Sequence, residues 1–302
     1  LAESLNLLAG ARIDNHSLLE DIVLSPRISI LYKWAQETQF RISYSTGFRA
    51  PQAFDSDMHI AFAGGGVSRI ILDEKLKQER SKSFSSSVNY DKVQERDIYG
   101  FTIEGFFTYL DDAFYQDFSL EDEFGSVFVK RNGAGATVKG FTVDFRANLR
   151  QKIQLESGFT LQNSIYDEPV SYSNSLVGKR EFLRTPEQYG YAMLSYKPSQ
   201  RLSFSVNLVH TGSMDLVHLS GSLGQEADSF FKSPVFNAIG FKMDYVQSLK
   251  RLGVRLEYSF GVKNLTNAYQ KEFDTLKYRD SNFIYGPSLP RTFYVGLVLG
   301  SL

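Results

Sequence analysis

Apolar and polar residues alternate with a period of two over most of the chain. Around residue 258 the even positions read Val254, Leu256, Tyr258, Phe260 and Val262, and between them lie Arg255, Glu257, Ser259 and Gly261. Leu202, Phe204, Val206 and Leu208 alternate with Ser203, Ser205 and Asn207, and Phe141, Val143, Phe145, Ala147 and Leu149 alternate with Thr142, Asp144, Arg146 and Asn148. Successive side chains of a strand point to opposite faces, whereas a helix with this pattern would smear charge around its circumference. The pattern predicts about twelve strands with one apolar face, opening near Leu5, Ser25, Thr38, Glu79, Asp97, Ala134, Lys152, Phe182, Arg201, Phe236, Gly253 and Pro290. Most run ~10–14 residues against the ~5–6 of ordinary globular strands. A tilted strand crosses a bilayer in ~9–11 residues.

The connections fall into two classes that alternate. Short ones lie at Ala35–Glu37, Gln94–Arg96, Arg150–Gln151, Pro198–Gln200 and Lys250–Leu252. Long ones lie at Asn15–Asp21, Arg49–Gln78, Asp112–Gly133, Tyr166–Glu181, Asp215–Val235 and Asn267–Leu289. Outer-membrane barrels have short periplasmic turns and long external loops. With a periplasmic C-terminus, counting backwards places every long connection outside. Tyr32 and Trp34 abut one short turn, Tyr90 and Tyr99 flank another, and Tyr245 precedes a third. Those positions suit an interfacial aromatic girdle; the plainer reading is strand-favouring aromatics in an ordinary sheet. On the seven clearest strands no charge falls on the apolar face, as a lipid-facing wall requires, because a Lys or Arg at the bilayer midplane costs roughly 2–4 kcal/mol. The polar face carries Arg41, Glu104, Asp144, Arg146, Glu156, Lys242, Asp244, Arg255, Glu257 and Lys263. Mixed signs there suit pairing across a hydrated or plugged lumen.

Composition narrows the class. A net charge of −1 over 302 residues argues against a nucleic-acid partner. The lack of cysteine suits passage through an oxidising periplasm. A mean hydropathy of −0.24 does not oppose a membrane barrel, whose strands are apolar on one face only. No apolar run is long enough for a spanning helix, and nothing resembles a secretory leader. A chain opening at Leu1 is therefore expected to be a fragment or a mature segment.

Several segments carry a resemblance in order and spacing. They are Ser25-Pro26-Arg27-Ile28-Ser29, Gly47-Phe48-Arg49-Ala50-Pro51 at a strand end, Leu76-Lys77-Gln78-Glu79-Arg80-Ser81 re-entering after the largest loop, Asn264-Leu265-Thr266-Asn267, and the closing Gly286–Leu297 stretch. Together they resemble TonB-dependent outer-membrane receptors, most like those of Bacteroidetes-type bacteria. The resemblance implies an all-β fold, a transmembrane antiparallel β-barrel of about 22 strands around a plug. Residues 1–302 would supply the C-terminal portion of the barrel, with no counterpart here to the plug or the TonB-engaging segment. It further implies active uptake of a scarce nutrient across a Gram-negative outer membrane: an iron–siderophore, haem or cobalamin. The expected partners are outer-membrane lipid, the protein's own plug, TonB and the small-molecule substrate; no reacting group and no resident cofactor are needed.

Candidate ligand contacts follow. His59 lies in the Arg49–Gln78 loop between two such segments, where haem-uptake members of the family carry a ligating histidine; the second segment lacks their Asn-Pro. Arg49 stands at the mouth of the same loop. Met214 and His218 share another loop, and a Met/His pair can ligate haem iron. Asp111, Asp112 and Asp117 belong to an acidic stretch suited to calcium, or simply to a solvated loop. Three rivals remain from other classes. A small porin needs no plug, and a soluble β protein needs no bilayer. A twelve-strand outer-membrane hydrolase would use Ser205, Asn207 and His210, but His210 has the lipid-facing parity while the other two have the lumen-facing one.

Overall fold

The computed structural model describes residues 4–19, 21–52, 69–122, 125–173, 175–275, 279–280, 283–287 and 289–301. Its strands are β1 (Leu5–Asp14), β2 (Val23–Lys33), β3 (Thr38–Arg49), β4 (Arg69–Leu72), β5 (Glu79–Gln94), β6 (Asp97–Asp111), β7 (Phe114–Asp122), β8 (Gly125–Asn132) and β9 (Gly135–Leu149). There follow β10 (Ile153–Val170), β11 (Lys179–Glu181), β12 (Gln188–Ser199), β13 (Leu202–Thr211), β14 (Asp215–His218), β15 (Ser229–Lys232), β16 (Phe236–Leu249), β17 (Val254–Lys263) and β18 (Thr292–Ser301). One large antiparallel sheet runs β1-β2-β3-β5-β6-β9-β10-β12-β13-β16-β17-β18, with β11 added beside β10. Its path visits the strands in chain order. This is the wall of an all-β, antiparallel barrel, and its twelve path strands are those the alternation predicts.

Register turns that alternation into two chemically distinct faces. On one, Ile103 pairs with Val143 and Val143 with Phe159, and the next rows hold Phe101 beside Phe145 and Phe84 beside Phe107. These side chains are left open: Phe84 is 46% exposed, Phe107 45% and Phe141 46%. Water-soluble monomers seldom leave a contiguous apolar patch beyond a few hundred Å². A lipid contact removes that penalty.

The opposite face is polar and internally bonded. Hydroxyls pair across strands at Ser29–Ser43 (2.8 Å), Ser83–Thr108 (2.9 Å) and Thr142–Thr160 (2.9 Å). Arg146 donates from Nε to Asp91 (2.7 Å) and from its terminal nitrogens to Thr102 (3.0 Å) and Asn89 (2.7 Å). Three strands, β5, β6 and β9, thus share one guanidinium close to the short-turn end, which is how a polar lumen lining avoids unmatched charge.

The short turns are tight for identifiable reasons. Arg150 and Gln151 both adopt left-handed backbone (φ 51 and 58), and the Lys152 amide closes on the Leu149 carbonyl at 2.9 Å. Two central residues with positive φ make the hairpin turn whose twist matches the strands it joins. Gly253, at φ 64, ends the 3-10 turn (Lys250–Leu252) between β16 and β17.

Two expectations are corrected. The strand expected from Phe182 begins at Gln188. Arg184 is left-handed (φ 58) and Pro186 has no amide hydrogen for a ladder, so extended pairing cannot pass them. The long connections are also more ordered than loops read from composition. β7 and β8 form a hairpin, β4 joins β8 in parallel, and β14 pairs with β15. Here too lies the buried apolar cluster of Leu216, Phe236, Phe283 and Tyr285. The densest packing is under the loops, not between the faces of the wall.

Among the described residues β1 pairs only with β2, and β18 only with β17.

Candidate functional site

The loop end of the wall carries two clusters. The first surrounds a cavity of about 270 Å³ lined by Arg49, Phe114, Tyr115, Lys130, Tyr166 and Tyr172, among others. Arg49 ends β3 on its polar face, directly opposite Glu79 at the start of β5. Their side chains lie 3.3 Å apart, and the same Glu79 oxygen accepts the Phe114 amide at 2.8 Å. That second bond fixes the β7 hairpin to the strand pair that brackets the largest loop.

Phe114 is in turn approached by two cations. The Arg49 guanidinium lies 4.9 Å from its ring centroid and the Lys130 ammonium 4.8 Å. Lys130 is only 2% exposed and donates to the Gln52 carbonyl at 2.9 Å. A cation held over an aromatic face gains about 0.5–2 kcal/mol, more where water is excluded. Tyr166 stacks on Phe182 at 4.3 Å, which stiffens the far wall. Burial pushes the Tyr172 hydroxyl well above its usual range, so at neutral pH it stays protonated, donating to the Glu181 carbonyl at 3.5 Å. Cationic heads and flat aromatic walls suit a planar or anionic guest.

The second cluster joins two loops. His218, ending β14, places Nε2 2.9 Å from both carboxylate oxygens of Asp274. Asp274 also accepts the Asp280 amide at 2.9 Å, and Asp280 accepts the Leu219 amide at 2.9 Å. Burial pushes the Asp274 carboxyl up. The bonds from the Asp280 amide, His218 and Ser222 outweigh it and hold the group below the usual carboxylate range. Beneath them Gln270, 1% exposed, donates to the Glu272 and Phe283 carbonyls and accepts the Tyr285 amide.

The residues singled out from sequence are placed as follows. Arg49 heads the cavity. Met214 packs against the Leu216 cluster, its amide bonded to Ser233, and His218 sits in the inter-loop lock. Asp111 ion-pairs with Lys82 at 2.8 Å and Asp117 lies 3.9 Å from Arg131, while the Asp112 carbonyl accepts from Asn132. Among the described residues no group of three His, Cys, Asp or Glu side chains converges as a metal site. His59 lies outside the described residues. Ser205 and Asn207 face the lumen, whereas His210 projects from the opposite face and contacts Asn237 at 2.7 Å; the hydrolase arrangement does not assemble. Glu79, Phe114, Lys130, Asp274 and Phe283 were not legible as site residues. Only Glu79 left a signal, as the strand-initial partner of Arg49 across one long loop.

A lipid-facing wall with short turns at one end and structured, ligand-sized loops at the other defines an outer-membrane barrel protein. The chain belongs to the TonB dependent receptor-like β-barrel family, whose model matches residues 1–287. No curated protein sequence matches it. Among solved structures it is similar to a mutant ferric enterobactin receptor of Pseudomonas aeruginosa, with a TM-score of 0.68 at 16% identity, covering 100% of this chain and 43% of that one. The ferripyoverdine receptor of Pseudomonas aeruginosa superposes with a TM-score of 0.68 at 15% identity, over 98% of this chain and 36% of that one. The siderophore receptor PirA of Acinetobacter baumannii gives 0.66 at 15%, over 100% and 44%. The chain thus spans less than half the length of these receptors. Its strands cross the outer membrane of a Gram-negative cell.

Proposed function

We propose that this chain is the loop-bearing, C-terminal portion of the barrel of a receptor that captures a ferric siderophore outside the cell and admits it by TonB-coupled transport. The observation that carries this reading is the Arg49–Phe114–Lys130 cavity at the loop end of a lipid-facing wall. Cations engaged with an aromatic wall recognise the flat, anionic surface of an iron chelate by charge and by stacking. The similar solved receptors take such ligands: ferric enterobactin and ferripyoverdine are named for two of them.

The unpaired edges of β1 and β18 support a longer native barrel. Backbone groups at an open edge have no water in the hydrocarbon layer to bond with, and each one left so costs several kcal/mol. Further strands would satisfy them, and a plug would cover the polar lumen lining around Arg146. Transport by capture and gating requires no catalytic group in this chain. Haem and cobalamin are the other scarce ligands of suitable size; a haem reading would rest on His59.

The test is uptake of radioactive iron, presented as a catecholate or hydroxamate chelate, by iron-starved cells carrying the full-length receptor. Saturable uptake that disappears without TonB supports the proposal. Uptake unaffected by loss of TonB, or conductance without a chelate, would move the assignment to an open channel.

A further inference from the structure

The outward face of the wall carries a localised patch of charge separate from the Arg49 cavity. On the twelve path strands the outward positions are apolar or uncharged, among the described residues, except for seven charges that fall in two places. Lys92 and Asp97 flank a short turn. The other five charges, Arg80, Lys82, Asp111, Lys139 and Asp167, all lie at the loop end of four consecutive neighbours, β5, β6, β9 and β10. At the same end of β1 and β2 the outward residues are Ile13 and Leu24, both well exposed and apolar.

The patch begins abruptly. Phe84 faces Phe107 across the β5–β6 ladder, and Phe107 faces Lys139 on β9. One step further out Lys82 faces Tyr109, and Tyr109 faces Thr137. Tyrosine at this level, apolar body down and hydroxyl up, marks the boundary between hydrocarbon and headgroup. The carboxylates are already engaged: Asp111 holds the Lys82 ammonium at 2.8 Å, and Asp167 accepts the Tyr109 hydroxyl at 2.8 Å. An ammonium has three donors, so Lys82 keeps two for another partner. Lys139 is exposed and makes no ion pair or side-chain hydrogen bond among the described residues. Three cations against two acids leave the sector net positive.

Spacing says what it fits. Lys82 and Lys139 stand two strands apart, about 10 Å across the sheet and about 7 Å along it. Side chains of this length converge on a single phosphate or grip two that share one headgroup, with their stems lying along the apolar surface below. We propose that this sector is a binding site for the phosphate-bearing headgroup of an external-leaflet lipid, gripped by Lys82 and Lys139 with Arg80 at its upper edge. The lipid's chains lie over Phe84, Phe107 and Phe141, and its headgroup stands beside Tyr109. The site anchors one sector of the wall at a fixed depth and is independent of which chelate the loops take.

The full-length receptor, extracted from its outer membrane in mild detergent, provides the test. Native mass spectrometry and phosphate assay of the retained lipid compare wild type, Lys82→Gln/Lys139→Gln, Lys139→Gln alone, and Lys242→Gln on the lumen face. We expect wild type and Lys242→Gln to retain a phosphorylated lipid near one per chain, with at least a five-fold loss in the double variant and a partial loss in Lys139→Gln. Equal retention in all four overturns the site, as does equal loss in Lys242→Gln, which would indicate a general charge effect. Because Lys139→Gln breaks no ion pair or side-chain hydrogen bond among the described residues, it reports on lipid even if the double variant assembles poorly.

Discussion

The His218 imidazole lies flat on the Phe283 ring, centroids 3.7 Å apart and planes 8° from parallel. Stacking fixes the ring plane and the Asp274 carboxylate fixes its edge, so one side chain holds two long loops in register. Phe283 also meets Phe231 edge-on at 5.1 Å and Tyr285 at 5.2 Å, which extends the contact into the buried loop cluster.

Replacing His218 with Ala should free the final long loop without loosening the wall. A hydrogen bond to a charged group contributes about 1.5–3 kcal/mol, so amide protection in that loop should fall roughly ten- to hundred-fold. Hydrogen exchange resolved by peptide is the measurement. Unchanged protection around Gln270 and Tyr285 would show that apolar packing alone sets the loop.

Acid should reveal the depressed Asp274 carboxyl. A group whose folded pKa lies below its ordinary value of about 3.9 adds stability that is fully present above that value. That contribution is lost as pH falls through the lowered folded value. Wild type and Asp274→Asn should therefore differ in loop protection by a constant amount down to about pH 4 and converge in stronger acid. Convergence already near pH 6 would contradict the assigned bonds.

At the cavity, Arg49→Gln should weaken binding of a ferric chelate about ten- to hundred-fold, the range of a central hot-spot residue. Titration of the purified full-length receptor measures it, with Arg12→Gln on an exposed strand end as control. If both variants bind like wild type, the ligand sits elsewhere in the loops.

The two faces of the wall make opposite predictions at adjacent positions. Val143→Lys puts a charge into lipid and should destabilise the barrel by roughly 2–4 kcal/mol if it lies near the midplane. Thr142→Lys, one residue away, points into the lumen and should cost far less. Urea unfolding in lipid vesicles distinguishes them; equal losses would mean that the apolar face is not lipid-facing.

The wall was legible because lipid on one side and water on the other impose strict alternation. Thr38, Glu79, Asp97 and Phe236 open strands where the pattern changes. Failures fell where another constraint intervened, as at Arg184 and Pro186. The loops resisted because their contacts join residues far apart in sequence. Lys130 reaches Gln52 and His218 reaches Asp274 through folded hairpins that leave no periodic trace. The acidic run around Asp117, legible as a solvated loop, is instead half of the β7–β8 hairpin, where Arg131 answers part of its charge. Met214, a candidate soft ligand by residue type, packs against the buried Leu216 cluster, a contact that its place in the sequence does not announce.

The path of the wall strands, each beside its neighbour in the chain, has a kinetic corollary. Chain-closure entropy grows with the logarithm of the intervening length, so pairs joined by short turns close at low entropic cost. β2 with β3, β5 with β6, β9 with β10, β12 with β13 and β16 with β17 are such pairs. Each is a self-contained hairpin of local contacts, the class that forms fastest. Assembly would then proceed by adding finished hairpins side by side, with the long external connections, slowest to order, taking shape last over a wall already in place.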